Sequence, residues 1–422
     1  MKIVSGITSN IEQTINRRRV KLIVAVIVML FAGIIYAWSI TNTPFTQVSN
    51  GYVVNATQLG LNYTLTIVFF CIGGFTAGLI SKYTTSSLRL ILSSAMLFTS
   101  FMASSLQIVT LHYSGNYFML YMAYGVLGGL GIGMAYVTVI STINMWYPDK
   151  KGFASGVVLM GFGLSLMIIG RVVDLLGNSE NIGWRTTYVI IAIVLGVVFL
   201  AAAFIIRPPP KDTAFPESKS TKSEKQKNAV QDYTAIEMIK HPSFILAFIY
   251  ITILASSGSA AISFAKEIML DVNATDSIAV TAVGMLGVSN GLGRLTLGWM
   301  YDKLELRKTQ LISGVVAVLA PLTIVFALMT NSVILGIIGL CLCGFTYGFA
   351  PTTSSVFASE FYGQKNFPLN FSILTLILIP APFAAMMAGG IKSGAGGFLY
   401  AFIILTALTI VGFFVNMAIK KP

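Results

Sequence analysis

The chain has 422 residues, of which 55% are apolar and only 10% are charged, and its formal net charge is +12. Soluble globular chains are about 25% charged and about 45–50% apolar, so this composition, with a mean hydropathy of +0.82, excludes a water-soluble enzyme and a disordered chain. The positive charge indicates either a nucleic-acid surface or the basic cytosolic loops of a membrane protein, and the positions of Lys and Arg decide between them.

Twelve apolar runs are long enough to cross a bilayer as helices, which takes about 20 residues each. Barrel strands would be shorter and would alternate in polarity. The runs cover 20–43, 56–81, 88–110, 116–142, 152–176, 185–206, 243–265, 276–301, 308–330, 333–358, 367–391 and 395–418. The first follows a basic segment but is too long for a signal peptide, so we expect an uncleaved span. The sequence predicts an all-α membrane protein with twelve transmembrane helices.

A polar segment at 207–242 interrupts the apolar runs, with six runs on each side. It begins Arg207-Pro-Pro-Pro210 and carries several lysines, which is typical of a cytosolic linker. We therefore expect two six-helix bundles at 1–206 and 243–422. The end of the linker, 233–240, is predicted to form a short amphipathic helix lying on the membrane.

Basic residues follow the alternation of the loops. If the N-terminus is inside, 22 of the 27 Lys and Arg residues lie on inside segments. This distribution predicts a multi-pass protein of the cell membrane with both termini in the cytoplasm. The charge of +12 then reflects orientation in the lipid bilayer, and no nucleic-acid partner is expected.

An internal repeat relates the two halves. The segment Cys71-Ile-Gly-Gly-Phe-Thr-Ala-Gly78 aligns with Gly291-Leu-Gly-Arg-Leu-Thr-Leu-Gly298, and 146–153 aligns less closely with 361–367. Both matches are six spans apart, as expected for a duplicated half. The sequence thus predicts two pseudo-symmetric bundles.

Two loop segments resemble a known family. Gly298-Trp-Met-Tyr-Asp-Lys303 is the loop motif of the major facilitator superfamily. It predicts a tight cytosolic turn, whose Asp302 can cap the next helix or pair with basic groups on a neighbouring helix end. The stretch from Asn144 to Gly156, with Trp146 as an interfacial anchor, resembles the oxalate/formate antiporter family, which also contains monocarboxylate carriers. The resemblance implies the major facilitator fold and alternating access, without enzymatic activity, a cofactor or a metal.

Arg294 is the main candidate for substrate binding, because it lies near the middle of its span. A guanidinium there costs about 2.5–3.5 kcal/mol on insertion scales and should meet an anion. The repeat position in the first half is Gly74, so the fold does not require the charge. Asn290, one helical turn earlier, can bind the same carboxylate. The alternative is a structural Arg paired with an acid or with helix carbonyls, but the middle of the spans contains no acid.

Three tyrosines, Tyr36, Tyr136 and Tyr347, lie well inside their spans next to glycines. The family resemblance places cavity tyrosines at these positions, although packing is an alternative for each. The resemblance also implies that oxalate carriers use a lysine in span 11, where this chain has Leu374. One buried cation suits one carboxylate, so we expect a monocarboxylate such as lactate, pyruvate or formate.

Coupling or gating requires further charged groups. The candidates have a charged side chain near the end of a span, and they are Asp271, Glu267, Arg171, Asp174, Asp302 and Asp149. Glu267, Asp271 and Asp276 are the candidates for a proton site. Asp271 is the first choice because its loop leads into the Arg294 span, with a solvated outer loop as the alternative. Arg171 and Asp174 are one turn apart, and we expect a local ion pair between them.

These observations predict a monomeric secondary transporter of a small carboxylate, coupled to a proton or a counter-anion. An oxalate/formate-type antiporter is the first alternative. A multidrug or other organic-anion exporter shares the fold, but it usually offers a buried acid. A membrane enzyme would need a nucleophile–base pair or a metal cluster, which the three cysteines and two histidines do not form in sequence. A transporter-derived sensor is disfavoured by the moderate length of the linker.

Overall fold

A computed structural model describes residues 2–46, 56–114, 117–210, 213, 215, 231–304, 306–381, 383–393 and 397–422, and every regular element in these ranges is helical. The main helices are α1 (Lys2–Ala32), α2 (Ala56–Ile80), α3 (Ser86–Ser114), α4 (Gly129–Trp146), α5 (Lys151–Ser165), α6 (Gly183–Ile205), α7 (Pro242–Asp271), α8 (Asp276–Lys303), α9 (Leu306–Thr330), α10 (Val333–Glu360), α11 (Phe367–Thr375) and α12 (Gly397–Ala418). Within the described ranges, ten helical stretches are long and apolar enough to span a membrane.

Shorter helical segments extend several of these helices. A 3₁₀ turn at Gly33–Ala37 follows α1, and a π-helical turn at Tyr121–Gly128 precedes α4. After α5 the chain continues through a π-helical turn at Leu166–Gly170 into the helix Arg171–Gly177. Because these stretches are as apolar as their neighbours, the hydropathy pattern does not distinguish them from α-helix.

Most of the predicted spans agree closely with the observed helices. The prediction of 276–301 for α8 is confirmed within two residues at each end, and that of 185–206 for α6 likewise. Two predictions need correction. The helix predicted at 20–43 begins at Lys2, because a polar helical segment precedes the apolar one, and it ends at Ala32.

The eleventh span, predicted as one run at 367–391, is broken. Its helix α11 ends at Thr375, a 3₁₀ turn covers Leu376–Leu378, and a second helix runs over Phe383–Ser393. The break contains Pro380, whose nitrogen cannot donate the hydrogen bond of a continuous helix. An apolar run therefore predicts the span but not its interruption.

The chain forms two compact units. The first comprises Met1–Asp149 and Ser165–Ser223, and the second comprises Lys150–Leu164 and Glu224–Pro422. All of α5 except its last residue, Ser165, thus groups with the second half of the chain. There Lys151 pairs with Glu360 at 3.1 Å, and Ser155 Oγ lies 2.8 Å from Ser355 Oγ.

Each unit contains a close helix contact at a glycine, and the two glycines are equivalent in the sequence repeat. In the first unit a Cβ added at Gly73 of α2 would lie less than 3.0 Å from the carbonyl oxygen of Leu130. In the second unit a Cβ at Gly293 of α8 would meet the carbonyl oxygen of Phe345 in the same way. Small residues let helix backbones approach closely in membranes, so the repeat is reflected in packing.

The linker ends in the predicted short helix, which covers Ala235–Lys240. Thr234 and Glu237 form a capping box, in which the Glu237 carboxylate accepts a hydrogen bond from the Thr234 amide at 2.7 Å. That bond lowers the pKa of Glu237 below its usual value. Just before this helix, the Tyr233 amide donates to the Tyr362 carbonyl at 3.0 Å, so the end of the linker is held against the α10–α11 loop.

Candidate functional site

Arg294 lies on α8, nine residues before the end of the helix at Lys303, or about 14 Å along its axis. Its side chain is only 1% exposed, which makes it the largest fully buried side chain among the described residues. A buried guanidinium is costly unless its charge is compensated and its donors are hydrogen-bonded.

The guanidinium has two hydrogen bonds. Arg294 Nε donates to Asn290 Oδ1 at 3.1 Å, and Nη1 donates to the carbonyl oxygen of Leu159 on α5 at 2.9 Å. Its central carbon also lies 5.7 Å from the centre of the Phe162 ring. A pairing with helix carbonyls, one of the alternatives to a substrate role, is therefore present in part.

These two hydrogen bonds do not use all the donors of the Arg294 guanidinium and do not neutralise its charge. A guanidinium has five N–H donors, and the described residues accept from only two of them. No carboxylate in the described part of the chain lies within ion-pair distance of Arg294. The site therefore retains a net positive charge in a buried position and donors that an anion can use.

Gly163 makes room for the guanidinium on the surface of α5. A Cβ at this position would lie 3.3 Å from Arg294 Nε and 3.5 Å from its Cζ. Gly156, two turns earlier, lies against the Arg294 backbone, where a Cβ would be 2.6 Å from the carbonyl oxygen. Leu159, Phe162 and Gly163 were not predicted from the sequence as site residues. Gly152 and Gly156 are spaced as in closely packed helices, but this spacing does not predict that the neighbouring helix is α8.

Asn290 orients Arg294. It is 6% exposed, and its side-chain oxygen accepts from Arg294 Nε, so this oxygen holds the guanidinium. Its amide nitrogen has no hydrogen bond to any residue that the structure describes. The structure thus brings Arg294 and Asn290 together, as the sequence analysis expected from their spacing of one helical turn.

The predicted tyrosines lie in different environments. Tyr347 is half-buried on α10, packed against Gly258, and the next residue, Gly348, lies against the backbone of Asn290 and Arg294. Tyr136, in the first unit, is 2% exposed, with its ring edge-on to Phe70 at 5.1 Å. The side chain of Tyr36 lies outside the described residues.

Leu374 is fully buried in α11, within the second unit. The residue therefore has the apolar environment expected of leucine. A cation at this position would need a partner inside the protein.

The coupling candidates Glu267 and Asp271 are exposed near the end of α7. In the same region Lys266 pairs with Asp276 at 2.7 Å, and both side chains are well exposed, at 48% and 70%. Exposed ion pairs of this kind stabilise by about 0–1 kcal/mol. Glu267 and Asp271 therefore lie on the exposed last turn of a helix, and their role in coupling stays a prediction.

The expected ion pair between Arg171 and Asp174 is wrong. Asp174 accepts a hydrogen bond from Asn178 Nδ2 at 2.8 Å, and among the described residues Arg171 is exposed without an ion pair to Asp174. The order of the charges explains this, since a base that precedes an acid on a helix is the weaker arrangement, and exposure reduces the gain further.

Asp149 forms an ion pair in the first unit. Its carboxylate accepts from Arg18 Nη1 at 2.7 Å, and the two side chains are only 6% and 10% exposed. The Arg18 guanidinium also lies 4.8 Å from the centre of the Tyr147 ring, and burial raises the pKa of Tyr147. Asp149 therefore joins the start of the chain to the α4–α5 loop.

Asp302 caps the first turn of α5. Its carboxylate accepts from the backbone amides of Gly152 at 3.0 Å and Phe153 at 2.6 Å. The sequence predicted a cap on the next helix, α9, or a pair with basic groups on a neighbouring helix end. Asp302 instead caps a distant helix, α5, through its backbone amides. A carboxylate at this place also complements the positive end of the helix dipole.

Replacing Asp302 with alanine should lower the free energy of unfolding by about 1–2 kcal/mol, because two amides lose their acceptor at a helix start. Thermal unfolding of the purified protein in detergent measures the loss, and Asp302→Asn should show a smaller one. Glu180→Ala, which removes an exposed acid outside the regular helices, is the control. Equal unfolding temperatures for the Asp302→Ala and Glu180→Ala variants would contradict the capping role.

Comparisons with known proteins agree with this architecture. The chain is 26% identical over 370 residues, 87% of its length and 86% of the relative's, to the uncharacterized MFS-type transporter YhjX of Escherichia coli (strain K12). It is 23% identical over 244 residues to the oxalate:formate antiporter of Oxalobacter formigenes, covering 57% of this chain and 56% of that protein. Monocarboxylate transporter 12 of Rattus norvegicus is 23% identical over 309 residues, covering 68% and 63%.

Solved structures show the same fold. The Escherichia coli fucose:proton symporter FucP superposes with a TM-score of 0.71 at 14% identity, covering 96% of this chain and all of that one. The proton:xylose symporter XylE gives 0.72 at 15% identity, covering 97% of both chains. At these identities the likeness confirms the fold alone. The family model of the Major Facilitator Superfamily matches residues 23–377, so this chain belongs to the major facilitator superfamily.

Proposed function

We propose that the protein is a secondary active transporter that carries a small monocarboxylate, such as lactate, pyruvate or formate, by alternating access. Arg294 is the observation that carries the proposal, because its buried charge has no acid partner among the described residues. A carboxylate can accept two parallel hydrogen bonds from one guanidinium and neutralise it. Relatives named as an oxalate:formate antiporter and as monocarboxylate transporters support this class of substrate.

The number of charges favours one carboxylate over two. Arg294 supplies one positive charge, and the sequence of the eleventh span has no Lys or Arg before Lys392. A dianion bound to one guanidinium would leave a negative charge uncompensated inside the membrane, which is expensive. Oxalate/formate exchange is the second candidate, favoured by the similarity to the antiporter.

The remaining features of the proposal follow the sequence analysis. Two six-helix bundles, 1–206 and 243–422, are joined by a cytosolic linker at 207–242, and both termini lie in the cytoplasm of a protein of the plasma membrane. Transport is coupled to a proton or a counter-anion, with Asp271 and Glu267 as the first groups to test. The protein works as a monomer.

Uptake into liposomes tests the substrate and the coupling together. We expect purified protein to accumulate labelled lactate, pyruvate or formate, and to transport oxalate at least tenfold more slowly. If an inward proton gradient accelerates uptake into liposomes that contain no anion, the mechanism is proton symport. If uptake requires an anion inside the liposomes, the mechanism is exchange. Rapid oxalate exchange without monocarboxylate transport would overturn the proposal and favour the second candidate.

Leu374 provides a further arm of the same assay. The variant Leu374→Lys adds a second cation, so its preference should shift from monocarboxylate toward oxalate. Leu374→Met, which preserves size and polarity, is the control and should keep the wild-type preference. An unchanged preference in a folded Leu374→Lys protein would show that this position does not select the substrate.

A further inference from the structure

A cavity of about 490 Å³ lies at one end of the first unit. Its lining comes from three parts of the chain: the middle of α1, where its polar segment meets its apolar one, the last residue of α4, and the end of α6 with the segment that follows it. The lining residues are Asn16, Arg17, Val20, Lys21, Trp146, Ile205, Pro208 and Pro210. In the proposed topology this end of the unit faces the cytosol, and the inference rests on that orientation but not on the identity of the substrate.

The cavity is positively charged. Arg17 is exposed and Lys21 is half-buried on its wall, and Lys21 lies within electrostatic reach of both Arg17 and Arg207. In the part of the chain that the structure describes, none of these three cations has an ion pair. The neighbouring Arg18 differs, since Asp149 neutralises it at 2.7 Å. The cavity therefore carries positive charge that no acid among the described residues neutralises.

The cations and the cavity wall are held in place. Lys21 Nζ donates to the Ile205 carbonyl oxygen and lies 4.9 Å from the centre of the Trp146 ring. Trp146 Nε1 donates to the carbonyl oxygen of Arg207 at 2.7 Å. The following prolines restrict the backbone of the wall. A fixed wall loses less entropy on binding than a flexible loop would.

The cavity also borders apolar surface. Val20 and Ile205 line it and are 56% and 37% exposed, and Phe204, beside Ile205, is 61% exposed. A tryptophan next to Lys and Arg is typical of the interface between headgroups and acyl chains. The ligand that fits both surfaces has an anionic head and an apolar body.

We propose that this cavity binds the phosphate headgroup of an anionic glycerophospholipid of the cytosolic leaflet. Arg17 and Lys21 receive it from the cavity wall, and Arg207, next to the lining residue Pro208 and held by its carbonyl to Trp146, adds its charge at the rim. The acyl chains then lie along Val20, Ile205 and Phe204. Basic pockets at the cytosolic ends of transmembrane helices are general sites for anionic lipid heads, and each cation near such a surface contributes to affinity. The bound lipid stabilises the packing of α1 against the ends of α4 and α6.

The test uses the full-length protein in neutral detergent, titrated with phosphatidylglycerol, phosphatidylcholine or inorganic phosphate. We expect phosphatidylglycerol to raise the unfolding temperature and to remain bound in native mass spectrometry, and the other two to do neither. A ligand that binds only the folded state stabilises it by RT ln(1 + [L]/Kd), so the unfolding temperature rises with the ligand concentration.

The variant Arg17→Gln/Lys21→Gln should bind phosphatidylglycerol about thirty-fold more weakly, because it lacks two cations. If loss of the Lys21 contact with Trp146 impairs folding, Arg17→Gln/Arg207→Gln keeps that contact and should show a similar loss. The control is Arg19→Gln, which removes an exposed cation of α1 that does not line the cavity.

Two results would overturn the proposal. One is equal retention of phosphatidylglycerol by the wild type and by both double variants. The other is stabilisation of the wild type by inorganic phosphate or by phosphatidylcholine as large as that by phosphatidylglycerol, which would assign the cavity to a free anion or to lipid in general.

Discussion

Replacing Arg294 with methionine should reduce carboxylate uptake at least thirty-fold while the folded protein stays as stable as the wild type or becomes more stable. Losing one partner of a buried charge pair costs about 2–5 kcal/mol of binding, and each 1.4 kcal/mol is about tenfold in affinity. The free energy of unfolding should instead stay the same or rise, because methionine replaces a buried charge that the described residues do not neutralise.

The two halves of this expectation need separate measurements. Initial rates in proteoliposomes measure uptake, and thermal unfolding in detergent, with and without lactate, measures stability and binding. Lactate should raise the unfolding temperature of the wild type but not that of Arg294→Met. Arg294→Lys keeps the charge but lacks the planar fork, so an intermediate loss is expected.

Arg185→Met is the matched control for Arg294→Met, because Arg185 is an exposed arginine near the start of α6. This variant should keep both uptake and lactate-dependent stabilisation. Unchanged uptake in an Arg294→Met protein would remove the centre of the proposed function. A large drop in its stability would instead make Arg294 a structural residue held by Leu159 and Asn290.

Gly293→Ala should destabilise the protein by about 1–3 kcal/mol or more, because the new methyl group would overlap the backbone of Phe345. The nearest atoms are backbone atoms of α10, so no side chain can turn aside, and α8 and α10 must separate. The next residue on α8 is Arg294, so we also expect weaker substrate binding. Thermal unfolding and uptake measure the two effects.

Gly284→Ala is the control on the same helix. An added Cβ at Gly284 would have no atom within 4 Å, so the substitution should be neutral or stabilise slightly through helix propensity. If Gly293→Ala and Gly284→Ala unfold at the same temperature, the close contact of α8 with α10 is not what determines stability there.

The sequence predicts the spans well because the bilayer imposes the signal. In hydrocarbon the backbone N–H and C=O groups must form their hydrogen bonds within their own segment. An apolar run long enough to cross the bilayer therefore forms a helix, as α6 and α8 do. The same signal does not detect a polar helix, so the first 18 residues of α1, before Val20, were not predicted. Nor does it detect a break such as that at Pro380, which lies among apolar neighbours.

The candidate site was only partly predictable. Arg294 and Asn290 follow from one charge in an apolar run and from helical spacing, which are local properties of α8. The carbonyl of Leu159 and the space at Gly163 depend on the register of α5 against α8, which no local pattern contains. The cap from Asp302 has the same origin: the aspartate is visible in its loop motif, but its partners are residues of a distant helix.

The position of that cap has a consequence for biosynthesis. The amides of Gly152 and Phe153 are made 150 residues before Asp302, which accepts their hydrogen bonds. While the chain emerges, the first turn of α5 therefore has water as its acceptor at the membrane surface until α8 has been inserted. Completion of the fifth helix is thus a late event, and the second half of the chain finishes a helix that the first half begins.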